Sequence, residues 1–188
     1  MSALTTFHQF FDSCVGHWDS ERTYHYLSAP TEIERSHTEF RVEPLTPEKK
    51  VKVLADNAFD TVEQMDICPG FHLVFHTVSE TGAIKDQSLN LAFVPNDETV
   101  ASEHILEGAY LRDRAYEEDR PIISDFHFDA RTCELLMTTR YTRIVSIDSI
   151  TLINPQMRIR RIFNYVRPPE GQPLDRLALV GFGVEQKR

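Results

Sequence analysis

Most of this chain is a succession of short segments rich in β-branched and aromatic residues, each closed by turn chemistry, and that spacing restricts the fold more than any other feature. Candidate strands occupy residues 18–27, 34–42, 59–65, 71–78, 87–94, 99–107, 110–116, 122–128, 134–141, 144–153, 157–166 and 177–184. Some of them should merge or fail, leaving nine or ten. Turns are signalled at Glu80-Thr81-Gly82, Pro95-Asn96-Asp97, Asp129-Ala130 and Asn154-Pro155. Segments about 8–12 residues apart without strand–helix alternation argue against βαβ units and for an antiparallel sandwich or barrel.

Helical spacing is concentrated at the start. Leu4, Phe7, Phe10, Phe11 and Cys14 share one face over residues 3–15, and Gly16 is a candidate stop. One such helix ahead of sequentially connected strands favours an all-β fold. The expected form is an antiparallel up-and-down β-barrel whose N-terminal α-helix (1–16) plugs one end, leaving room for one small ligand. A second, short helix is expected from Thr46-Pro47 through EKKVKVLAD, its lysines on a solvated face.

The 188 residues suit one domain, 1–188. With 41% hydrophobic and 26% charged residues the chain is too apolar for disorder and too interrupted for a membrane span, so no membrane insertion is expected. Twenty Lys and Arg against 29 Asp and Glu give a net charge of -9, which disfavours nucleic acid. A basic cluster inside so acidic a protein points instead to a small anion. Cys14, Cys68 and Cys133 have no metal or disulfide spacing and read as small buried hydrophobes in a reducing compartment. No secretory signal is visible at the N-terminus.

Arg158 and Arg160 are two apart in Met-Arg-Ile-Arg-Arg-Ile-Phe, so on a strand both leave one face and Arg161 the other. A barrel-facing pair requires internal carboxylates or an anionic ligand; the alternative is an exposed arginine face. Asp148, on the preceding strand, joins them only if an odd number of residues intervenes in the hairpin loop. Trp18 shares a face with Ser20, Arg22, Tyr24 and Tyr26, either as a core residue at the barrel mouth or as a packing surface for a planar ligand. His72 and His76 make a poor metal pair, no HExxH motif exists, and no metal site is expected. Nucleophile turns and glycine-rich phosphate loops are likewise missing from the sequence.

Taken together, these motifs resemble those of the CpcS/CpeS-type phycobiliprotein lyases. The resemblance rests on Gly16-His-Trp18-Asp-Ser20-Glu-Arg22-Thr23-Tyr-His25-Tyr-Leu27, on Gly108-Ala-Tyr-Leu-Arg112-Asp113-Arg-Ala-Tyr116-Glu117 with Pro121, on Asp148 through Asn154-Pro155-Gln-Met-Arg158-Ile-Arg160, and on Gly-Phe-Gly-Val-Glu185. It implies a lipocalin-like, fatty-acid-binding-protein-like barrel. The implied enzyme, a bilin chromophore lyase of phycobilisome assembly, binds a linear tetrapyrrole such as phycocyanobilin and attaches it by a thioether to a cysteine of an apo-phycobiliprotein α or β subunit. By the same resemblance Arg158 and Arg160 grip the propionates, Trp18 packs near the ligand, and Asp148 and Glu185 are the catalytic carboxylates, Asp148 standing where the family commonly has glutamate. The tetrapyrrole is substrate, and no prosthetic group is implied. The expected setting is the cytoplasm or plastid stroma, as a homodimer or with a related lyase subunit. A non-catalytic carrier of bilins or other acidic amphiphiles is the alternative.

Overall fold

The structure, a computed structural model, describes residues 2–28, 30–59, 68–96, 103–113 and 122–188. Ten strands form within them: β1 (Gly16–Tyr26), β2 (Glu32–Pro44), β3 (Gly70–Ser79), β4 (Ile84–Pro95), β5 (Ile105–Arg112), β6 (Ile122–Asp129), β7 (Glu134–Arg140), β8 (Ile144–Asn154), β9 (Met157–Val166) and β10 (Leu177–Lys187). Two helices accompany them, α1 (Ala3–Cys14) and α2 (Pro47–Asp56). Each strand pairs antiparallel with its sequence neighbours, and β10 returns to pair with β1, closing an up-and-down barrel. Candidates 99–107 and 110–116 meet in one strand, β5, because Gly108 is not a break: a Cβ there would lie 2.1 Å from the Val94 carbonyl oxygen, so glycine permits the close approach of β4. Candidate 59–65 lies outside the described residues from position 60 onward, as do 97, 99–102 and 114–116.

Helix α1 starts where the Ser2 hydroxyl accepts the Thr5 backbone N–H at 3.2 Å. It stops at extended Val15, and Gly16 follows with φ +131°, a conformation side chains resist; a Cβ there would also meet Lys187 Cε at 2.7 Å. Its apolar stripe enters the barrel. Phe7 is fully buried, stacked on Phe126 at 5.2 Å and edge-on to Phe11 at 4.7 Å, while Phe10 and Phe11 reach Phe128 and Phe71. Rings from the helix and from β3, β4 and β6 thus form a plug that seals one end of the barrel. Helix α2, capped by Thr46 with Pro47 in its first turn, lies outside: Val53 and Leu54 pack with Leu45 and Cys68 over Ala92, Val94 and Leu111 of β4 and β5. Cys14 and Cys68 are buried as expected, but Cys133 is only half-buried, in the turn before β7.

Because side chains alternate across the wall, pairing register decides what faces the interior. Even-numbered residues point inward on β1 and β2, odd ones on β3 and β4, and even ones again on β5 and β6, a sequence traceable through the pairs Trp18 with Phe40, Phe40 with Phe75, Phe75 with Gln87 and Leu91 with Arg112.

Truncating the plug should be costly, since a buried Phe→Ala change typically loses about 3–5 kcal/mol. Phe7→Ala is expected to lower the unfolding free energy in urea by that order, whereas Val51→Ala on the exposed face of α2 should change it by less than about 0.5 kcal/mol.

Candidate functional site

The parity question at Asp148 is settled by a bulge. Asn154 pairs with Met157 across the two-residue turn Pro155-Gln156, a register that would send Asp148 outward. The register then shifts between Leu152 and Asn154, leaving Ile153 unpaired and 52% exposed, and Leu152 pairs with Arg158. The extra residue restores odd parity, so Asp148, Arg158 and Arg160 all face the interior.

Glu185 of β10 is the centre of the charged group. It sits opposite Arg158 on one side and Ser20 on the other and is wholly buried. Arg158 Nε donates to Glu185 Oε2 at 2.5 Å, Arg22 approaches Oε1 at 3.4 Å, and Arg160 Nε stands 3.7 Å from Oε1. Burial pushes the Glu185 carboxyl up, but the fields of Arg158, Arg160 and Arg22 outweigh it and hold the group at about 2, so it is ionised at neutral pH. Gly183 lies between Arg160 and Arg22 in the pairing, and a Cβ on it would crowd Arg22 Cγ and Ser20 Oγ at 3.3 Å. The missing side chain lets both guanidiniums converge across β10.

These arginines are not equivalent. Arg158 is 4% exposed, its guanidinium 4.4 Å from the Trp18 ring centroid and 5.0 Å from that of Phe40. Trp18 itself is 1% exposed and donates from Nε1 to the Cys14 carbonyl at 2.9 Å, beneath the plug and at the opposite end from the mouth. It does not line the inner cavity; it backs Arg158, because β1 begins at the sealed end. Arg160 is freer: its Nη1 is 4.0 Å from Asp148 Oδ1, and neither Arg160 Nε nor Asp148 Oδ1 has a hydrogen-bond partner among the described residues.

The cavity holds about 420 Å³, within the ordinary range of small-molecule sites. Phe10, Cys14 and Phe71 form its floor below the plug, Arg22, Asp148 and Arg160 line its middle, and Tyr26, Glu34 and Asn164 lie toward the far end, where Tyr26 donates to Glu34 at 2.9 Å. Burial pushes the Cys14 thiol up, with Arg158 offsetting it in part, so this cysteine is a poor nucleophile. Arg22, Tyr24, Tyr110 and Arg112 also line the cavity. Of these Arg22 and Tyr24 were legible as the face shared with Trp18; the signal for Tyr110 and Arg112 is their alternation with Gly108 along β5, which acquires meaning only once Gly108 is known to lie inside a strand.

On the outer wall, Asp19, His37 and Glu39 bring ligand atoms within 4.8 Å of one another. Arg188 already occupies that charge, reaching Asp19 at 2.5 and 2.7 Å and Glu39 at 2.7 Å. His72 and His76 also face outward, against Asn90 and Asp86.

Known proteins share this chain's sequence pattern and fold. Residues 6–188 match the CpeS-like protein family. The chain is 57% identical over 187 residues to Chromophore lyase CpcS/CpeS 1 of a Synechococcus species, covering 100% of this chain and 99% of the relative. It is 27% identical over 162 residues to Chromophore lyase CpcS/CpeS 2 of a Synechocystis species, covering 81% and 77% of the two chains. The solved structure of the S-type phycobiliprotein lyase CPES from Guillardia theta superposes with a TM-score of 0.74 at 16% identity, over 100% of this chain and 93% of that one, a likeness of fold.

Replacing Glu185 strands the buried Arg158, so Glu185→Gln should destabilise the protein by about 3 kcal/mol at pH 7. Because the folded carboxyl titrates below its unfolded value of 4.5, the difference between wild type and variant should persist above pH 4.5 and shrink as pH falls from there toward about 2. Urea unfolding across that range reads it.

Proposed function

The chain belongs to the CpeS-like family and is a phycobiliprotein chromophore lyase, and from that premise we propose how its cavity performs the attachment. A linear tetrapyrrole of the phycocyanobilin type lies in the barrel with its propionates at Arg160 and Arg22. Arg158, spent on Glu185 and wedged against Trp18, acts as the support that keeps the other two guanidiniums and the carboxylate in place. Supporting this division is the convergence of Arg22 and Arg160 over Gly183 at the cavity wall.

The position of Asp148 supports a role for it: it lines the cavity 4.0 Å from Arg160, and its Oδ1 has no hydrogen-bond partner among the described residues. A client thiol then adds across a carbon–carbon double bond of the end ring. The sulfur–carbon bond forms, the double bond becomes single, and a proton ends on the neighbouring carbon, with Asp148 placed to exchange it. Nothing leaves and no energy source is consumed. The protein supplies orientation, holding a flexible chromophore so that one carbon and one face meet the thiolate. The acceptor is a cysteine of an apo-phycobiliprotein α or β subunit, and the reaction belongs in the cytoplasm or plastid stroma, where the protein's free cysteines stay reduced.

Incubation with phycocyanobilin and apo-subunit should give a coloured band that survives denaturation; colour that washes away would overturn the attachment reading for these partners. Arg160→Ala and Arg22→Ala should each weaken bilin binding by about 1.5–3 kcal/mol, near 10- to 150-fold in Kd. Asp148→Asn should keep binding but shift the bound pigment's absorption and slow transfer. An unaltered spectrum and rate would remove the proton role.

A further inference from the structure

On the wall facing Arg22 and Arg160 stands a hydroxyl with no hydrogen-bond partner among the described residues. Tyr110 of β5 is 8% exposed and lines the cavity. Its ring is stacked on Phe93 at 4.9 Å and 17°, and Phe93 is held in turn by Phe11 of the plug at 4.8 Å. The Arg112 guanidinium lies 5.4 Å from the ring centroid. The ring is therefore held by its neighbours. Its hydroxyl, however, makes no hydrogen bond with any described residue.

A hydroxyl held this way must find its partner in whatever fills the cavity. Burial pushes the phenol up to about 12, so it meets the ligand as a neutral O–H donor. The charged groups whose fields reach it are Arg112 on its own strand and Asp148 and Arg160 from β8 and β9.

Position narrows the ligand atom. Strand β5 is five strands from β10 in either direction around the barrel, so Tyr110 stands diametrically across from Gly183 and the arginines that converge over it. A linear tetrapyrrole carries its propionates on the two inner rings and a lactam carbonyl on each end ring. The carboxylates are drawn to the wall of Arg22 and Arg160, and Arg112, the guanidinium on Tyr110's own strand, donates to the Tyr141 hydroxyl at 2.9 Å, so the acceptors left for the neutral Tyr110 donor are the lactam oxygens. We propose that Tyr110 is a positioning residue that donates a hydrogen bond to a terminal lactam carbonyl and so fixes the rotation of an end ring, an inference that rests on the bilin-binding reading of the cavity.

The test compares two pigments, phycocyanobilin as the free acid and biliverdin dimethyl ester, whose propionates are blocked. Tyr110→Phe keeps the stacked ring and removes only the donor. It should raise Kd about 2- to 12-fold for both pigments, the range of one neutral hydrogen bond, and shift the visible band of the bound pigment. The melting temperature of the unliganded protein should stay unchanged. Arg160→Ala should weaken the free acid alone. Equal affinity and spectrum for wild type and Tyr110→Phe, or an effect confined to the free acid, would overturn the lactam assignment while leaving the cavity reading intact. Wild-type protein that binds neither pigment would overturn the cavity reading and this inference with it.

Discussion

A carboxylate with no exposure to solvent has to be surrounded before it can be charged, and the interior of this barrel is organised around that requirement at Glu185. Three arginines from β1 and β9 converge on it, and each is placed by something further out: Arg158 by the Trp18 and Phe40 rings, Arg22 and Arg160 by the gap at Gly183. Removing Glu185 would leave the buried Arg158 without its counter-charge. The set carries more positive than negative charge at this wall of the hollow, which is what an acidic pigment needs.

The plug gives the site its direction. Helix α1 fills one end with phenylalanines, so the charged belt has an apolar floor beneath it. In that setting an ion pair or a hydrogen bond is stronger than at a solvated surface. The cavity has the sealed floor on one side and the far end of the barrel, toward which Tyr26, Glu34 and Asn164 lie, on the other. Burial pushes the thiol at the floor, Cys14, up, which makes it a poor nucleophile.

Much of this was legible residue by residue. The cap at Thr46, the apolar stripe of α1 and the strand periodicity are local chemistry, and local chemistry survives into the fold. The two-residue spacing of Arg158 and Arg160 predicted a common face, and they have one. Trp18 was different. Alternation put it on the inner face correctly, but a face does not say which end of the barrel a residue occupies, and β1 starts at the sealed end. Asp148 was different again, since its side depended on one bulged residue, Ile153, that neither composition nor turn propensity announces.

What the sequence determined by itself was therefore the period and punctuation of the chain: strands, their order, one plugging helix, and the residues able to share a face. Those follow from backbone sterics and side-chain patterning within a few positions of each residue. Depth along the barrel axis, inward or outward parity across a bulge, and the meeting of Arg22 with Arg160 over a glycine were decided only by tertiary structure. The bulge is settled within the β8–β9 hairpin, whereas the meeting of Arg22 with Arg160 depends on strands more than a hundred residues apart, brought together when β10 closes on β1.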